Sequence, residues 1–181
     1  MVQGSGMTAL RRHAPRTCVA PTSRSMAGYH VRTVVRLAFD IRTDAPPEAV
    51  RAALLDFTEH RPELWPGLPA DQYQVYDVGD TWAEIREGYR GRIWVRERYD
   101  WSEPDTVRFT LVDSGFAMPG GEVVVFIEPD DAGGSMLHIT WDRTGKGLFG
   151  KLFVGLVALT RGAPVRRSFD MGLARIADSN S

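Results

Sequence analysis

The sequence lacks an excess of either charge. Its 181 residues include 22 lysines and arginines against 23 aspartates and glutamates, which gives a formal net charge of -1. A protein that binds the phosphates of a nucleic acid needs a surplus of basic residues, so we expect no nucleic-acid partner. With 43% hydrophobic and 25% charged residues, the chain has the balance of a globular protein with one sizeable core.

Cysteine and histidine are also scarce. The single cysteine, Cys18, cannot form an internal disulfide. A reducing compartment fits this, and we expect a cytoplasmic protein. The four histidines show no close pairing with cysteine or carboxylates, so no metal site is expected. No cofactor is expected either.

Acidic residues are missing from the start of the chain, where the first carboxylate is Asp40. Residues 1–29 are arginine-rich but contain no unbroken apolar run, which argues against a secretory signal. They fit an organellar transit peptide, translation from an upstream start codon with Met26 as the natural first residue, or a tail without a role in the fold. We expect one folded domain at residues 30–178.

Long apolar runs are absent as well. The longest, Leu148 to Leu159, contains Lys151 and is shorter than the roughly 20 residues that span a bilayer. No integral membrane segment is therefore expected. Because this run is apolar nearly all round, we expect a helix that is buried on more than one side.

The glycine-rich stretch TGKGLFGKLF contains G-x-G-x-x-G and most of G-x-x-x-x-G-K, two nucleotide-binding patterns. The hydroxyl residue that must follow the lysine is replaced by Leu152, and nothing after Pro164 has the pattern of the strand that a dinucleotide fold requires. The glycines are better explained by structure. Gly145 and Gly147 predict a turn, and Gly150 predicts a helix that approaches a sheet closely.

Alternation and turn residues predict the order of elements. A strand with apolar residues at every second position is followed by two short helices, then by six more strands joined by short turns. Short connections favour antiparallel neighbours, and a C-terminal helix is predicted from Gly147, with a kink or break at Gly162 and Pro164. The predicted strands are VRTVVRLAFDIRT, YQVYDV, TWAEIREGY, RIWVRERYDW, TVRFTLVD, GEVVVFIEP and SMLHITWDR.

Three segments, FDIRTDAPPEAVRAALLDF, WPG and TWDRTGKGLFGKLF, resemble the SRPBCC superfamily, which has the START-related helix-grip fold. The resemblance runs from about Val31 to Ala177 and is strongest to the polyketide cyclase/dehydratase-like branch. It implies an α+β fold in which a seven-stranded curved antiparallel sheet wraps around a long C-terminal helix, with two short helices after strand 1. It also implies a mostly apolar cavity between sheet and helix that holds a hydrophobic small molecule.

Strand alternation places two glutamates on the apolar side of the sheet. Glu87 shares its parity with apolar residues of its strand, and so does Glu97. A three-residue turn at 90–92 would pair Glu87 with Val95 and Ile85 with Glu97. The two glutamates would then be diagonal neighbours with Cα atoms roughly 7–8 Å apart.

Two interpretations of the candidate catalytic residues remain open. Glu87, Glu97 or Asp113 could bind a ligand or transfer protons, as could His138 if its strand turns even positions inward. Alternatively, each carboxylate meets an arginine such as Arg143, or a tyrosine hydroxyl, in a purely structural network, and the histidine lies on the outer face.

The loop from Asp113 to Glu122 is either a mobile lid or a structural turn that plugs one end of the core. The candidate ligand-binding residues are Tyr89, Val95, Tyr99, Trp101, Phe109, Leu111, Phe116, Met118, Trp141, Phe149, Leu152, Phe153 and Leu156.

These observations favour a protein that binds a hydrophobic or aromatic small molecule, lipid-like or polyketide-like. An aromatase/cyclase-like enzyme that uses cavity carboxylates as acid and base is the first alternative. The second is an accessory module that contacts a protein or a membrane through the apolar helix or the lid, which would expose an apolar patch. The sequence leaves the oligomeric state open.

Overall fold

A seven-stranded antiparallel sheet is the largest element of residues 34–179, the part of the chain that the computed structural model describes. The tail expected at residues 1–29 lies outside these residues. The strands are β1 (Val34–Thr43), β2 (Gln74–Val78), β3 (Trp82–Gly88), β4 (Trp94–Asp100), β5 (Thr106–Ser114), β6 (Glu122–Pro129) and β7 (Ser135–Thr144). The helices are α1 (Pro47–Leu54), α2 (Arg61–Leu64), α3 (Gly147–Leu159) and α4 (Ala163–Ser179), with a 3₁₀ turn at Ala70–Gln72.

The strand order is β1-β7-β6-β5-β4-β3-β2, and all neighbours are antiparallel. Strands β2 to β7 follow one another through short connections, whereas α1 and α2 lead the chain from one edge strand, β1, to the other, β2. The curved sheet and the C-terminal helices form the helix-grip arrangement, so the predicted fold class is confirmed.

Alternation along the strands decides which side chains face the helices. In β3 and β4 the register places Ile85 opposite Glu97 and Glu87 opposite Val95, as predicted from the turn. Odd-numbered positions of β1, β6 and β7 are likewise the more buried ones. The inner face therefore carries both glutamates among apolar neighbours.

The C-terminal helix is broken where the sequence predicts it. Arg161 and Gly162 both have positive φ, 53° and 79°, which ends α3. The Gly162 amide donates to the Val157 carbonyl at 2.8 Å, and Pro164 stands in the first turn of α4, where its missing N–H costs nothing. The two helices meet at a bend of 70°.

Helix α3 is not buried on more than one side, so that prediction is wrong. Gly150, Val154 and Val157 form its buried face, which packs on β1 and β7. Leu152 and Leu156, on the opposite side, are exposed. Apolar residues all round a helix do not by themselves show which face meets the protein.

Gly150 is required for the contact of α3 with the loop before β6. A Cβ atom at this position would lie 1.9 Å from the Phe116 carbonyl oxygen, which already accepts a hydrogen bond from the Lys146 amide at 2.7 Å. At Gly155, on the exposed side of the same helix, a Cβ atom would meet nothing within 4 Å.

We expect Gly150→Ala to lower the free energy of unfolding by about 1–3 kcal/mol, because the methyl group forces backbone apart. The matched control, Gly155→Ala, should raise it by about 0.5–1 kcal/mol through helix propensity alone. Urea denaturation of both variants measures the difference. Equal effects of the two substitutions would contradict this packing.

Candidate functional site

A cavity of about 250 Å³ lies between the inner face of the sheet, the segment around α2 and helix α4. Its walls are mostly apolar, and aromatic rings contribute much of them. The apolar and aromatic lining residues are Leu54, Trp65, Pro66, Leu68, Tyr89, Ile93, Trp94, Val95, Tyr99, Phe109, Phe116, Val123, Trp141, Val165 and Phe169.

Helix α4, rather than α3, provides the helical wall of the cavity. Val165, Ser168 and Phe169 line it, whereas no residue of α3 does. The Phe169 ring meets the edge of Trp65 with centroids 6.0 Å apart, and Trp65 donates its indole N–H to the Ala53 carbonyl at 3.2 Å. The position of α4 is therefore tied to α1 and to the end of α2.

Arg61, from the single-turn helix α2, organises the first polar cluster of the cavity. Its side chain is 3% exposed. It donates to Glu87 Oε2 at 3.0 Å, to the Tyr99 hydroxyl at 2.8 Å, and to the carbonyls of Leu54 and Asp56 at 3.0 and 3.1 Å. Tyr99 in turn donates to Glu87 Oε1 at 3.1 Å.

This cluster holds a neutral phenol beside a fixed positive charge. Burial by itself lowers the pKa of Arg61, but Tyr99 and Glu87 outweigh it, so the pKa lies above its usual value. Burial raises the pKa of Tyr99 well above its usual range. The hydroxyl therefore stays protonated at neutral pH, and the guanidinium stays charged.

Glu97 and Arg143 form the second polar cluster. Both side chains are almost fully buried, and Arg143 donates from Nη2 to Glu97 Oε1. Burial raises the pKa of Glu97 to about 7, although the guanidinium opposes part of that shift. A carboxyl with this pKa exchanges a proton near neutral pH, which is what a general acid or base requires.

Arg143 also has an unused donor. Its Nη1 donates to the Asp142 carbonyl at 2.9 Å, but its buried Nε has no hydrogen-bond partner within residues 34–179. An unsatisfied buried donor costs about 1–3 kcal/mol. Arg143 lines the cavity, so a ligand with an acceptor oxygen could relieve that cost.

Several side chains singled out from the sequence meet at this cavity. Of the candidate catalytic residues, Glu87 and Glu97 line it, each bonded to an arginine as the structural alternative expected. The candidate ligand-binding residues that line it are Tyr89, Val95, Tyr99, Phe109, Phe116 and Trp141.

Asp113 lies outside the cavity because of a β-bulge. Pairing of β4 with β5 shifts between Arg96 and Glu97, so that Asp113 stands opposite Arg96 on the outer side. Its half-exposed carboxylate lies 3.4 Å from Lys146 Nζ. Simple alternation cannot anticipate the extra residue, which is why the sequence placed this aspartate near the site.

His138 also lies away from the cavity, on the outer face of β7. Its ring nitrogens contact Asp40 Oδ1 at 2.7 Å and Glu128 Oε1 at 3.0 Å. The hydrogen bond with Glu128 raises the pKa of His138 most, and the hydrogen bond with Asp40 raises it further. Strand β7 turns its odd-numbered positions inward, so His138 lies on the outer face, which was the second of the two alternatives drawn from the sequence.

The remaining candidate ligand-binding residues do not line the cavity. Phe149, Leu152 and Leu156 are exposed on α3, because the helix that covers the cavity is α4. Phe153 packs its ring edge-on against Phe116, with centroids 4.8 Å apart, behind the cavity wall. The others outside are Trp101, Leu111 and Met118.

The loop from Asp113 to Glu122 is bonded to its surroundings at several points. Ser114 Oγ donates to the Trp94 carbonyl at 2.9 Å and accepts from the Phe116 and Ala117 amides. The Met118 amide donates to the Thr144 carbonyl at 2.8 Å. These bonds favour a structural turn, which presents Phe116 to the cavity, over a mobile lid.

Sequence reasoning missed Arg61 and the lining residues of α4. A lone arginine at the first position of a four-residue helix carries no periodic signal, so only the fold reveals that it reaches Glu87. Arg143 had a signal, since it shares the parity of Leu137 and Ile139 in β7. Among the described residues no group of three or more His, Cys, Asp or Glu side chains could hold a metal ion.

Comparison with solved structures identifies the same fold in several proteins. The Zhui aromatase/cyclase of a Streptomyces species is 13% identical, with a TM-score of 0.63 over 81% of this chain and 93% of that chain. Norcoclaurine synthase of Thalictrum flavum, in complex with dopamine and hydroxybenzaldehyde, is 11% identical, with a TM-score of 0.64 over 92% and 99%. A START superfamily protein of Mycobacterium smegmatis is 12% identical, with a TM-score of 0.57 over 78% and 98%. At such identities these likenesses show the fold alone.

No curated protein matches the sequence. A family profile does match it: residues 33–179 fit the family described as polyketide cyclase / dehydrase and lipid transport. That match covers most of the chain and every strand and helix described above. The chain belongs to the polyketide cyclase / dehydrase and lipid transport family, within the SRPBCC superfamily of helix-grip proteins.

Proposed function

We propose that the protein binds a small aromatic molecule that carries an acceptor oxygen, such as a phenolate or an aryl ketone. The observation that carries this proposal is a cavity whose walls are largely aromatic and whose polar groups are two arginine–carboxylate clusters. Binding sites for small molecules combine apolar walls with a few fixed polar groups in this way.

The size of the cavity limits the ligand. Pockets for drug-sized molecules usually enclose about 300–1,000 Å³, and this one measures about 250 Å³. One or two rings suit that volume better than a long polyketide chain or a two-tailed lipid. Norcoclaurine synthase, which shares the fold, was solved with dopamine and hydroxybenzaldehyde, two one-ring compounds.

The polar clusters suit an acceptor on the ligand. Arg143 retains an unpaired Nε, whereas the single O–H of Tyr99 already donates to Glu87. The two carboxylates already have arginine partners, and the formal charges of the four charged lining residues sum to zero. An oxygen atom with partial or full negative charge therefore has a donor available, and a cation does not gain a free carboxylate.

A larger side chain at Val123 should fill part of the cavity. Val123 points into it from β6, whereas Val124, the next residue, faces outward. We expect Val123→Phe to weaken binding of β-naphthol or para-hydroxyacetophenone at least tenfold, because the added ring occupies the ligand's volume. Isothermal titration calorimetry measures the affinity.

The matched control is Val124→Phe, which makes the same change on the other face of the strand and should leave the affinity within about twofold. Native mass spectrometry of the purified protein supplies a second readout. Unchanged affinity in Val123→Phe would refute this site, as would failure of the wild-type protein to bind any one- or two-ring phenol or aryl ketone.

A second candidate function is proton transfer to or from the bound ligand. It rests on Glu97, whose burial raises its pKa to about 7 and which lies in the cavity beside Arg143. As a carboxylate it could remove a proton from the carbon next to a ketone, while the unpaired Nε of Arg143 donates to the enolate oxygen. This is the acid/base chemistry of an aromatase/cyclase-like enzyme.

The prediction for this function uses hydrogen–deuterium exchange at the methyl group of para-hydroxyacetophenone, followed by NMR. The wild-type rate should rise with pH and level off above about pH 7, because only deprotonated Glu97 acts as a base. Glu97→Gln should reduce the catalysed rate at least about 100-fold, while binding persists.

Glu84→Gln is the control, since Glu84 pairs with Arg96 away from the cavity. Equal exchange rates in the wild type and in Glu97→Gln would eliminate the catalytic function. Ligand binding without catalysis would then be the remaining proposal.

A further inference from the structure

Helix α3 exposes a stripe of large apolar side chains. Leu148, Leu152, Leu156 and Leu159 are 76%, 66%, 57% and 81% exposed. Their spacing of four, four and three residues places them on one face of the helix. We call these four leucines the α3 stripe.

The α3 stripe is held in place by the rest of the fold. On the opposite side of the helix, Gly150, Val154 and Val157 pack on the sheet. The four leucines therefore form a fixed surface that faces away from the core. Monomeric proteins seldom leave contiguous apolar side chains in water unless the patch binds something.

Basic residues flank the α3 stripe in the sequence. Between Arg143 and Phe169 the sequence contains five lysines and arginines and no acidic residue, although the whole chain carries a net charge of -1. Of these, Lys151, Arg161 and Arg167 are exposed and form no ion pair with any residue of the described range. The apolar surface therefore lies within a locally positive region.

Exposed leucines next to basic residues favour one kind of binding partner for the α3 stripe over the others. A second copy of the chain, docked through the same stripe, would bring like charges together. Residues 1–33 contain no acidic residue either, so they do not complement the positive charge. An anionic lipid surface satisfies both features at once, since acyl chains accept the leucines and headgroups attract the basic residues.

We propose that α3 is a peripheral docking surface for an anionic lipid bilayer. With 13 residues, α3 is about 20 Å long, shorter than the roughly 30 Å of the hydrocarbon core. No single helix in the range 34–179 is long and apolar enough to cross a membrane, and α3 with α4 meets that test only as a pair bent by 70°. The helix lies in the interface, with its leucines in the outer acyl region and its other face on the sheet.

Co-sedimentation of the full-length protein with vesicles tests this proposal. Binding should be strong on phosphatidylcholine vesicles that contain phosphatidylglycerol, weak on phosphatidylcholine alone, and reduced by added salt. The double variant Leu152→Gln/Leu156→Gln should lower the partition coefficient at least tenfold, because two large apolar side chains no longer enter the acyl region.

Val78→Gln is the matched control, because Val78 is an exposed apolar residue of β2, outside α3. It should bind vesicles like the wild type. A thermal melt of each variant shows that the fold is retained; the changed leucines are exposed, so no loss of core packing is expected.

The basic residues are tested separately. Lys151→Gln and Arg167→Gln should each weaken binding to anionic vesicles about fivefold, since a basic residue near such a surface contributes about 1 kcal/mol. Neither change should affect binding to neutral vesicles. Arg98→Gln, on the exposed outer face of β4, is the control and should change nothing.

Each alternative occupant gives a different result, and each overturns the proposal. Equal binding to neutral and anionic vesicles, or no binding, excludes an anionic bilayer. A wild-type dimer that Leu152→Gln/Leu156→Gln dissociates identifies a second copy as the occupant. A photo-crosslinking residue in place of Leu152 that captures residues 1–33 within the monomer identifies that segment. None of these outcomes bears on ligand binding in the cavity.

Discussion

The pairing of inward-facing carboxylates with buried arginines is the interaction on which the site depends. Strand alternation turns Glu87 and Glu97 toward the apolar side of the sheet, where an unpaired charge costs several kcal/mol. Arg61 arrives from α2 and Arg143 from β7, so each carboxylate gains a cation from a different part of the chain. Removing one partner of such a pair typically destabilises a protein by about 3–5 kcal/mol. Ion pairs thus link α2 to β3 and β7 to β4, in addition to the packing of these elements.

The same pairs explain why the inner face of the sheet is not simply filled. Two guanidinium groups and two carboxylates need particular partners at hydrogen-bond distance, and apolar side chains cannot close over them without leaving donors unsatisfied. Trp65 and Phe169 cover the space from the helix side. The outcome is a cavity with aromatic walls and polar groups at fixed positions. That is the arrangement from which both ligand binding and proton transfer at Glu97 follow.

Local patterns in the sequence predict the strands, the register of β3 with β4 and the break at Gly162, because alternation and turn chemistry act over a few residues. They also predict that Glu97 faces inward, with Arg143 as a possible partner. They fail at Asp113, where a bulge adds one residue to a strand, and at Arg61, whose contact with the sheet spans 26 residues of sequence. They fail again at α3. An apolar helix can face the core or a partner, and only the packing of α4 over the cavity decides which face α3 leaves outside.

The proposed chemistry of the site depends most directly on the protonation of Glu97 in the folded protein. Carbon-13 NMR of the side-chain carboxyl, assigned by comparison with Glu97→Gln, follows this group through a pH titration. We expect a midpoint near pH 7, because burial disfavours the charged form more than Arg143 favours it. The carboxyl would then add stability at low pH that is lost as the pH rises from about 4.5 to 7. A midpoint at or below the ordinary value of 4.5 would show that Arg143 or solvent outweighs burial and keeps Glu97 charged at neutral pH, which would contradict the proposed role of Glu97 as a base that titrates near neutrality.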